Sequence, residues 1–369
     1  MSRPRQPPGA PLPPRDPTLQ AKARGTLARP APRFDAQSRE WEHDGWDIPE
    51  DDRQLTRDVS LETPRKAIAW NQSPDLGFDR AVNPYRGCEH GCIYCYARPS
   101  HAFLGLSPGV DFESRLVARP DAARALEVEL GRKGYVVKPM GLGTNTDPWQ
   151  PIEAQYKATR AVLEVLHAWK HPVTITTRGA LIERDIDILA EMAAENLCDV
   201  GISVTTLDAG LARAMEPRAP TPQRRLAILR RLSEAGIPTR LMMGPIIPGL
   251  TDHEIEALLK AGREAGARSA WWALLRLPLE VSPLFQDWLA EHRPNHAAKV
   301  MKLIREMRGG MDYDGQFHDR FRGKGPYADM LALRVRKTRA RLGFAESHLA
   351  LDCGKFSKPP RAGDQLSLF

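Results

Sequence analysis

Residues 83–98 read Asn83-Pro84-Tyr85-Arg86-Gly87-Cys88-Glu89-His90-Gly91-Cys92-Ile93-Tyr94-Cys95-Tyr96-Ala97-Arg98, and they decide how the rest of the chain is read. Three of the five cysteines of the chain fall here, spaced C-x3-C-x2-C. Gly87 and Gly91 let the backbone fold tightly, so that three thiolates can converge. Soft thiolates favour zinc or an iron–sulfur cluster. A closed structural zinc site takes four ligands. His90 or His101 could supply the fourth, but the usual rhythm of two ligand pairs is missing. A [4Fe-4S] cluster held by Cys88, Cys92 and Cys95 alone keeps one iron open. An open iron suits a reactive cluster rather than one that only carries electrons. Cys198 precedes an apolar run and reads as a small buried residue. Cys353 reads as a free thiol near the C-terminus.

Outward from the cysteines, short apolar runs alternate with helical patterns. A first strand is expected at 79–86. Further runs are Val136–Leu142, Val173–Thr177, Val200–Thr205, Thr239–Gly244 and Ser269–Leu275. Helical patterns occupy 120–132, 153–169, 181–195, 221–235 and 252–265, then 282–291 and 295–308. Pro120 and Pro222 sit where a first helical turn accepts proline, and Thr251-Asp252-His253-Glu254 has cap-like chemistry. The run starts at 136, 173, 200, 239 and 269 recur every 27–39 residues. That is βα repetition and a parallel sheet. Six units do not complete an eight-stranded barrel. The expected fold is therefore α/β, an open, partial (βα)6 TIM-like barrel with its active site at the C-terminal ends of the strands.

The cysteine spacing, with the aromatic Tyr94 just before the last cysteine and a first strand just before the loop, resembles the hallmark of radical S-adenosylmethionine enzymes. The resemblance covers roughly 78–285. It implies that Cys88, Cys92 and Cys95 bind three irons of a [4Fe-4S] cluster and that S-adenosylmethionine chelates the fourth. It implies one-electron cleavage to a 5′-deoxyadenosyl radical, which abstracts hydrogen from a substrate, and an electron donor such as flavodoxin or ferredoxin. Inspection of the strand ends adds candidate cofactor contacts. Asn145 and Asp147, in Gly143-Thr144-Asn145-Thr146-Asp147, are acceptors for an ammonium. Arg178 can fork onto a carboxylate. Ser203 ends the fourth strand, and Tyr94 lies inside the motif. Glu216-Pro217-Arg218 forms a polar loop, and Gly244–Gly249 a backbone platform. The Trp271-Trp272 pair reads as core, with one ring free to line a cavity. NPYRGCEHGCIYCYAR and TNTDPWQPIE resemble segments of spore photoproduct lyase and its DNA-repair-photolyase-like relatives. That lyase returns hydrogen from a cysteine near the end of its second strand. Here no cysteine occurs between Cys95 and Cys198, so the same dimer reversal is not implied.

Of the 369 residues, 42% are apolar and 27% charged, an ordinary globular composition. No apolar run reaches the length of a membrane span, and no secretory signal opens the chain. Few cysteines and no leader point to a reducing cytoplasm. The net charge is +7, of which +6 lies in residues 1–33 (seven basic residues against Asp16), with nine prolines. This segment is expected to be disordered and basic. Residues 34–77 read as an irregular acidic lead-in, with Trp41, Trp46 and Ile48 as anchors. The barrel spans 78–285 and a helical extension 286–353. Residues 316–343 are basic, and 327–343 read as a basic helix. Residues 354–369 read as a flexible tail. Its last residues, Gln365-Leu366-Ser367-Leu368-Phe369, resemble the peptide with which bacterial polymerases and repair proteins bind the replication sliding clamp; Gln365, Leu366, Leu368 and Phe369 would make the contacts. Three functions follow as expectations: a radical enzyme acting on damaged or modified DNA, a radical enzyme acting on a protein, tRNA or small molecule, and a non-enzymatic, metal-stabilised clamp-binding adaptor.

Overall fold

The computed structural model describes residues 24–26, 28–34, 57–346 and 349–360. They contain β1 (Asp58–Leu61), β2 (Ile68–Trp70), β3 (Arg80–Val82), β4 (Tyr85–Arg86), β5 (Arg115–Ala118), β6 (Met140–Leu142), β7 (Val173–Thr177), β8 (Cys198–Ser203), β9 (Thr239–Ile246) and β10 (Ser269–Leu274). One seven-stranded sheet runs in the order β10-β9-β8-β7-β6-β3-β2. From β3 to β10 every pairing is parallel, and β2 joins the edge antiparallel. The ends do not pair, so the six parallel strands form an open, partial (βα)6 barrel. Helices Ala122–Leu130, Ala158–Ala168, Ile186–Ala194, Pro222–Glu234 and Ile255–Glu264 cross between successive parallel strands. Among the described residues no helix is long and apolar enough to cross a membrane.

Strand alternation divides the barrel into two environments. On β7, Val173 and Ile175 are fully buried in the core shared with the helices, whereas Thr174 and Thr176 face a cavity. On β8 and β9, Val200, Ile202, Leu241 and Met243 join that core, and Asp199, Ser203, Arg240 and Met242 face inward. On β10, Trp272 packs in the core and Trp271 lines the cavity. Arg240 pairs with Asp199 and donates to the Thr174 hydroxyl at 3.2 Å. The three side chains tie β9, β8 and β7 together across the lumen.

Several elements differ from the sequence expectation. The strand expected at 79–86 is two strands in different sheets, β3 and β4, because Pro84 has no N–H to continue a ladder. β4 joins β5 and β1 in a three-stranded sheet. Of 136–142, only Met140–Leu142 pairs; Pro139 precedes it and Val136 is exposed. Lys157, at φ 50°, breaks the helix expected at 153–169 into Glu153–Tyr156 and Ala158–Ala168. The helix expected at 181–195 opens instead with a 3-10 turn, Ala180–Asp185. A short helix, Ala209–Met215, was not expected; the Asp208 carboxylate caps it by accepting from the Gly210 and Leu211 amides at 2.7 and 3.0 Å. The expected cap at Thr251 does not form, since its hydroxyl accepts from the Ile247 amide. The lead-in carries β1 and β2. Trp41, Trp46 and Ile48 lie outside the described residues, as do Gln365, Leu366, Leu368 and Phe369.

Both tails are ordered further than composition suggested. Residues 24–26 and 28–34 pack onto the cysteine loop and the segment behind it. Gly25 donates to Glu113 at 2.9 Å, Arg24 donates to the Glu113 carbonyl at 2.8 Å, and Ala28 accepts from Val110 at 3.1 Å. A Cβ on Gly25 would collide with the Gly91 carbonyl, and one on Gly109 with the Ala28 carbonyl. At the other end, Phe356 stacks on Trp169 and packs at a tilt against Tyr135, and the Ser357 amide donates to the Trp169 carbonyl at 3.1 Å. The basic helix forms as Pro326–Arg341. Part of its charge is used internally: Arg334 pairs with Glu256 at 2.6 Å and Arg339 donates to the Ala345 carbonyl.

Candidate active site

The cysteine loop leaves β3 at the C-terminal end of the barrel. Gly87 (φ +72°) and Gly91 (φ +67°) make the left-handed turns that bring the three thiols to one side. Side chains at either position would meet neighbours: a Cβ on Gly87 would lie 2.8 Å from the Phe112 carbonyl, and one on Gly91 2.6 Å from Glu113 Oε2. Arg98 braces the loop from within. It is fully buried, pairs with the equally buried Glu113, and donates to the carbonyls of Cys92 (3.0 Å), Gly91 (3.3 Å), Gly109 (2.9 Å) and Pro108 (3.3 Å). Gln150 bridges the loop to the second motif, accepting from the Glu89 amide at 2.9 Å and donating to the Gly87 carbonyl at 3.1 Å. Trp149 is anchored to Asp185 at 2.8 Å, and Glu153 accepts from Tyr85 and from Arg184. This explains why the two motifs accompany one another: the second holds the first.

Burial pushes the thiols of Cys88 and Cys92 upward, Cys92 to about 12, so a thiolate here needs a cationic partner. Arg178 Nη1 lies 3.1 Å from Cys92 Sγ. Among the described residues no three His, Cys, Asp or Glu side chains group as ligands of one metal ion. A single zinc requires that grouping, whereas a cluster takes one iron per thiolate. His101 is not placed as a fourth ligand, since its Nε2 bonds the Arg115 carbonyl at 2.9 Å. His90 lines the same cavity as the thiols, its Nδ1 3.5 Å from Asp147 Oδ2. Buried Cys88 and Cys92, a half-buried Cys95 and a glycine-turned loop fit a cluster with one open iron.

Next to Cys92 lies a buried polar network. Arg178 Nη1 also donates to the Tyr94 hydroxyl and to Glu216 Oε1, both at 2.7 Å. Tyr94 donates to Glu216, and Thr205 donates to it at 2.9 Å. Arg225 closes the other side of Glu216 and reaches the Ser203 carbonyl at 3.3 Å. Glu216 thus sits between two guanidinium groups. Its position follows from the unexpected helix Ala209–Met215, which ends immediately before it, while Arg225 projects from a helix that Thr221 caps and Pro222 opens. Arg178 Nε and Nη2 make no hydrogen bond among the described residues, so the guanidinium retains donors for a carboxylate.

Asp147 is differently placed from an open ammonium acceptor. Its Oδ1 accepts from the Thr177 hydroxyl at 2.6 Å and the Trp149 amide at 2.9 Å, and its Oδ2 from the Arg178 amide at 2.8 Å. His90 Nδ1 is 3.5 Å away. Burial alone would raise this carboxyl; His90 and the hydrogen bonds outweigh it and hold it down at about 2. Asp147 therefore ties the ends of β6 and β7. Asn145 is less committed: its amide N–H reaches Asn83 Oδ1 at 3.1 Å and its side chain makes one long contact with Ser100.

Cys88, Cys92, Cys95, Tyr94, Asn145, Asp147, Arg178 and Ser203 all line one cavity of about 840 Å³, which fills the lumen and opens at the C-terminal ends of the strands. Gly244 and Pro245 line it as well. Sequence reasoning passed over Tyr96, Arg276, Phe321 and the Glu216–Arg225 pair. Tyr96 directly follows the last cysteine, which was the available signal for it. Arg276 and Phe321 carry no local pattern.

The family profile described as Radical SAM superfamily matches residues 82–261. The chain is 36% identical over 242 residues to an uncharacterized protein of Mycobacterium tuberculosis, covering 64% of this chain and 71% of that protein. An uncharacterized protein of Methanocaldococcus jannaschii is 27% identical over 178 residues, 48% of this chain and 64% of that protein. Among solved structures, spore photoproduct lyase complexed with dinucleoside spore photoproduct superposes with a TM-score of 0.57 at 13% identity, over 78% of this chain and 80% of that one. A mutant of that lyase with bound AdoMet and dinucleoside spore photoproduct gives 0.56 at 14% identity over the same shares. These structures share the fold. With a three-cysteine loop at the head of six parallel strands and a matching profile across that region, the chain belongs to the radical SAM superfamily, membership of which implies an enzyme that uses a [4Fe-4S] cluster and S-adenosylmethionine.

Proposed function

We propose that Cys88, Cys92 and Cys95 hold a [4Fe-4S] cluster, that Tyr94, Asn145, Arg178 and Ser203 surround S-adenosylmethionine, and that the enzyme acts on damaged or modified DNA. The observation that carries this reading is the convergence of the three thiols and these side chains on one cavity. When bound, the cluster and S-adenosylmethionine supply one-electron cleavage to a 5′-deoxyadenosyl radical. The chain's own part is placement. Arg178, fixed by Glu216, presents its remaining donors to the cofactor carboxylate. Tyr94 is locked by Arg178, Glu216 and Thr205 beside Cys92. Asp147 keeps the β6 and β7 ends in register. The lumen walls shield a radical from water.

DNA as the substrate is supported by the likeness of the cluster segment and of TNTDPWQPIE to spore photoproduct lyase, and by the clamp-like QLSLF at 365–369. A clamp-binding tail would bring a near-neutral barrel to DNA. The turn after β6 carries Gly143 and Thr144, with no thiol, so hydrogen return by that lyase's cysteine is not proposed. A second reading, a radical enzyme on a protein, tRNA or small molecule, is favoured by the internal use of basic charge at Arg320 and Arg334.

The test is anaerobic reconstitution with iron and sulfide, then reductant and S-adenosylmethionine, with 5′-deoxyadenosine measured beside Cys92→Ala. Product from the wild type alone is expected. Stoichiometric zinc with no product would leave the clamp-binding adaptor. Deleting 365–369 is expected to abolish clamp binding and lower survival of DNA damage; no change in either would remove the DNA reading's main support.

A further inference from the structure

Six arginines line the cavity, and five of them have a carboxylate partner. Arg86 and Arg119 share Glu62, at 3.0 and 2.8 Å. Arg178 has Glu216 at 2.7 Å, Arg320 has Asp75 at 2.7 Å, and Arg240 has Asp199. Arg276 differs. Among the described residues no carboxylate lies within ion-pair distance of it. A half-buried guanidinium without a counter-ion is unfavourable unless something else supplies the negative charge.

Its surroundings hold it ready. Arg276 follows β10, at the C-terminal face. Its guanidinium lies over the Tyr96 ring at 4.0 Å and the Phe321 ring at 4.6 Å from the centroids. Two aromatic faces fix the plane of the fork while leaving its edge N–H groups for a ligand. Tyr96 is itself pinned, because its hydroxyl donates to the Thr144 carbonyl. Tyr96 also adjoins Cys95, so an anion on Arg276 would sit beside the reaction chamber. The mouth carries further exposed rings that line the cavity: Trp70 is 62% exposed, with Arg80 over one face at 4.6 Å, and Phe103 is 70% exposed, with Phe34 tilted against it at 5.1 Å. Exposed rings beside an unpaired planar cation match the needs of a single nucleic-acid strand, whose bases stack and whose phosphates require a bidentate donor.

We propose that Arg276 receives a phosphodiester of a single-stranded or extruded nucleotide, with a neighbouring base on Trp70 or Phe103. The assignment rests on the reading that the substrate is nucleic acid. It makes Arg276 the point that sets how far a strand enters the lumen.

The experiment uses the full-length, reconstituted protein and fluorescence anisotropy with a short single-stranded oligothymidylate. Arg276→Gln is expected to weaken binding about tenfold and to lower the salt-dependence slope by about one. Arg276→Lys is expected to recover the slope but not the full affinity. An oligothymidylate with neutral methylphosphonate linkages should bind wild type more weakly, and Arg276→Gln should lose less on that change than wild type does. Equal affinity of wild type and Arg276→Gln for the charged oligonucleotide would overturn the assignment, as would equal losses on neutralising the backbone. A drop in S-adenosylmethionine affinity in Arg276→Gln would make the residue a cofactor contact and also overturn it. If wild type forms 5′-deoxyadenosine yet binds no oligonucleotide, the phosphate site falls while the radical chemistry stands.

Discussion

Replacing Arg98 with methionine tests whether the cysteine loop is held from inside. The side chain has no exposure, and it donates to four carbonyls while pairing with an equally buried Glu113. Methionine keeps much of the volume and none of the donors. Among the described residues the Glu113 carboxylate then keeps the Gly25 amide, at 2.9 Å, on its other oxygen, with the Arg24 guanidinium nearby at the Glu113 carbonyl. Removing one partner of a buried ion pair costs about 3–5 kcal/mol, which is a large share of the roughly 5–15 kcal/mol that stabilises a typical domain. The orphaned carbonyls add to this, but water entering the vacated space offsets part of it. Adding Glu113→Gln removes the stranded charge. On that background the Arg98 change should cost only about 1–3 kcal/mol, the cost of unmade hydrogen bonds, giving a coupling of about 2 kcal/mol. The assay is equilibrium urea unfolding of the four proteins of the cycle, with iron content after reconstitution as a second readout. Arg98→Met is expected to retain less iron, because the Cys92 carbonyl loses its anchor. A single-variant loss below about 1 kcal/mol, or a cycle with no coupling, would refute the reasoning.

Two further outcomes are expected. Glu216→Gln leaves Arg178 and Arg225 facing a neutral amide, so S-adenosylmethionine affinity should fall at least about tenfold while iron content changes little; an unchanged dissociation constant by equilibrium dialysis would contradict the network's role. His171 has no exposure, its Nδ1 donates to the Pro172 carbonyl at 2.9 Å and its Nε2 accepts from Tyr135 at 2.8 Å, and burial holds it down at about 4, as burial does His101. The unfolded chain binds these protons near pH 6.5, so the stabilisation is complete above that pH and is lost as pH falls through 4, by about 3 kcal/mol per histidine. His171→Gln should roughly halve the loss of urea midpoint between pH 6.5 and 4; an unaltered pH profile would show that His171 is not buried as described.

The parallel strands were readable because each alternates residues committed to the helices with residues facing the lumen, and their spacing leaves room for one helix apiece. The cysteine loop was readable because thiolate chemistry is local in sequence. Other features had no such signal. β1, β2 and β5 are three or four residues long, and the first two expose most of their side chains. Residues 24–26 and 28–34 have the composition of a disordered tail; what orders them is close backbone approach at Gly25 and Gly109, with Ala28 buried among apolar neighbours. Arg178 was identified as a strand-end cation and Glu216 as part of a polar loop, but not as its counter-ion, since Glu216 lies 38 residues away, just past a helix that composition did not reveal. Asp147 looked like a ligand because an acidic residue at a strand end is open to several roles. Its four neighbours, which decide between them, come from three separate segments.

Alternation along the strands also separates two kinds of inheritance. Ile175, Val200, Leu241 and Trp272 answer to the helices, and a change there is felt by the whole domain. Thr174, Thr176, Met242 and Trp271 face the lumen, where they meet lumen neighbours such as Arg240 and Phe321, and whatever enters. A descendant of this chain can therefore exchange its substrate one inward residue at a time while the outward set passes on intact. The same barrel, with the same cysteines at its head, becomes a lineage of different enzymes without ever having to refold.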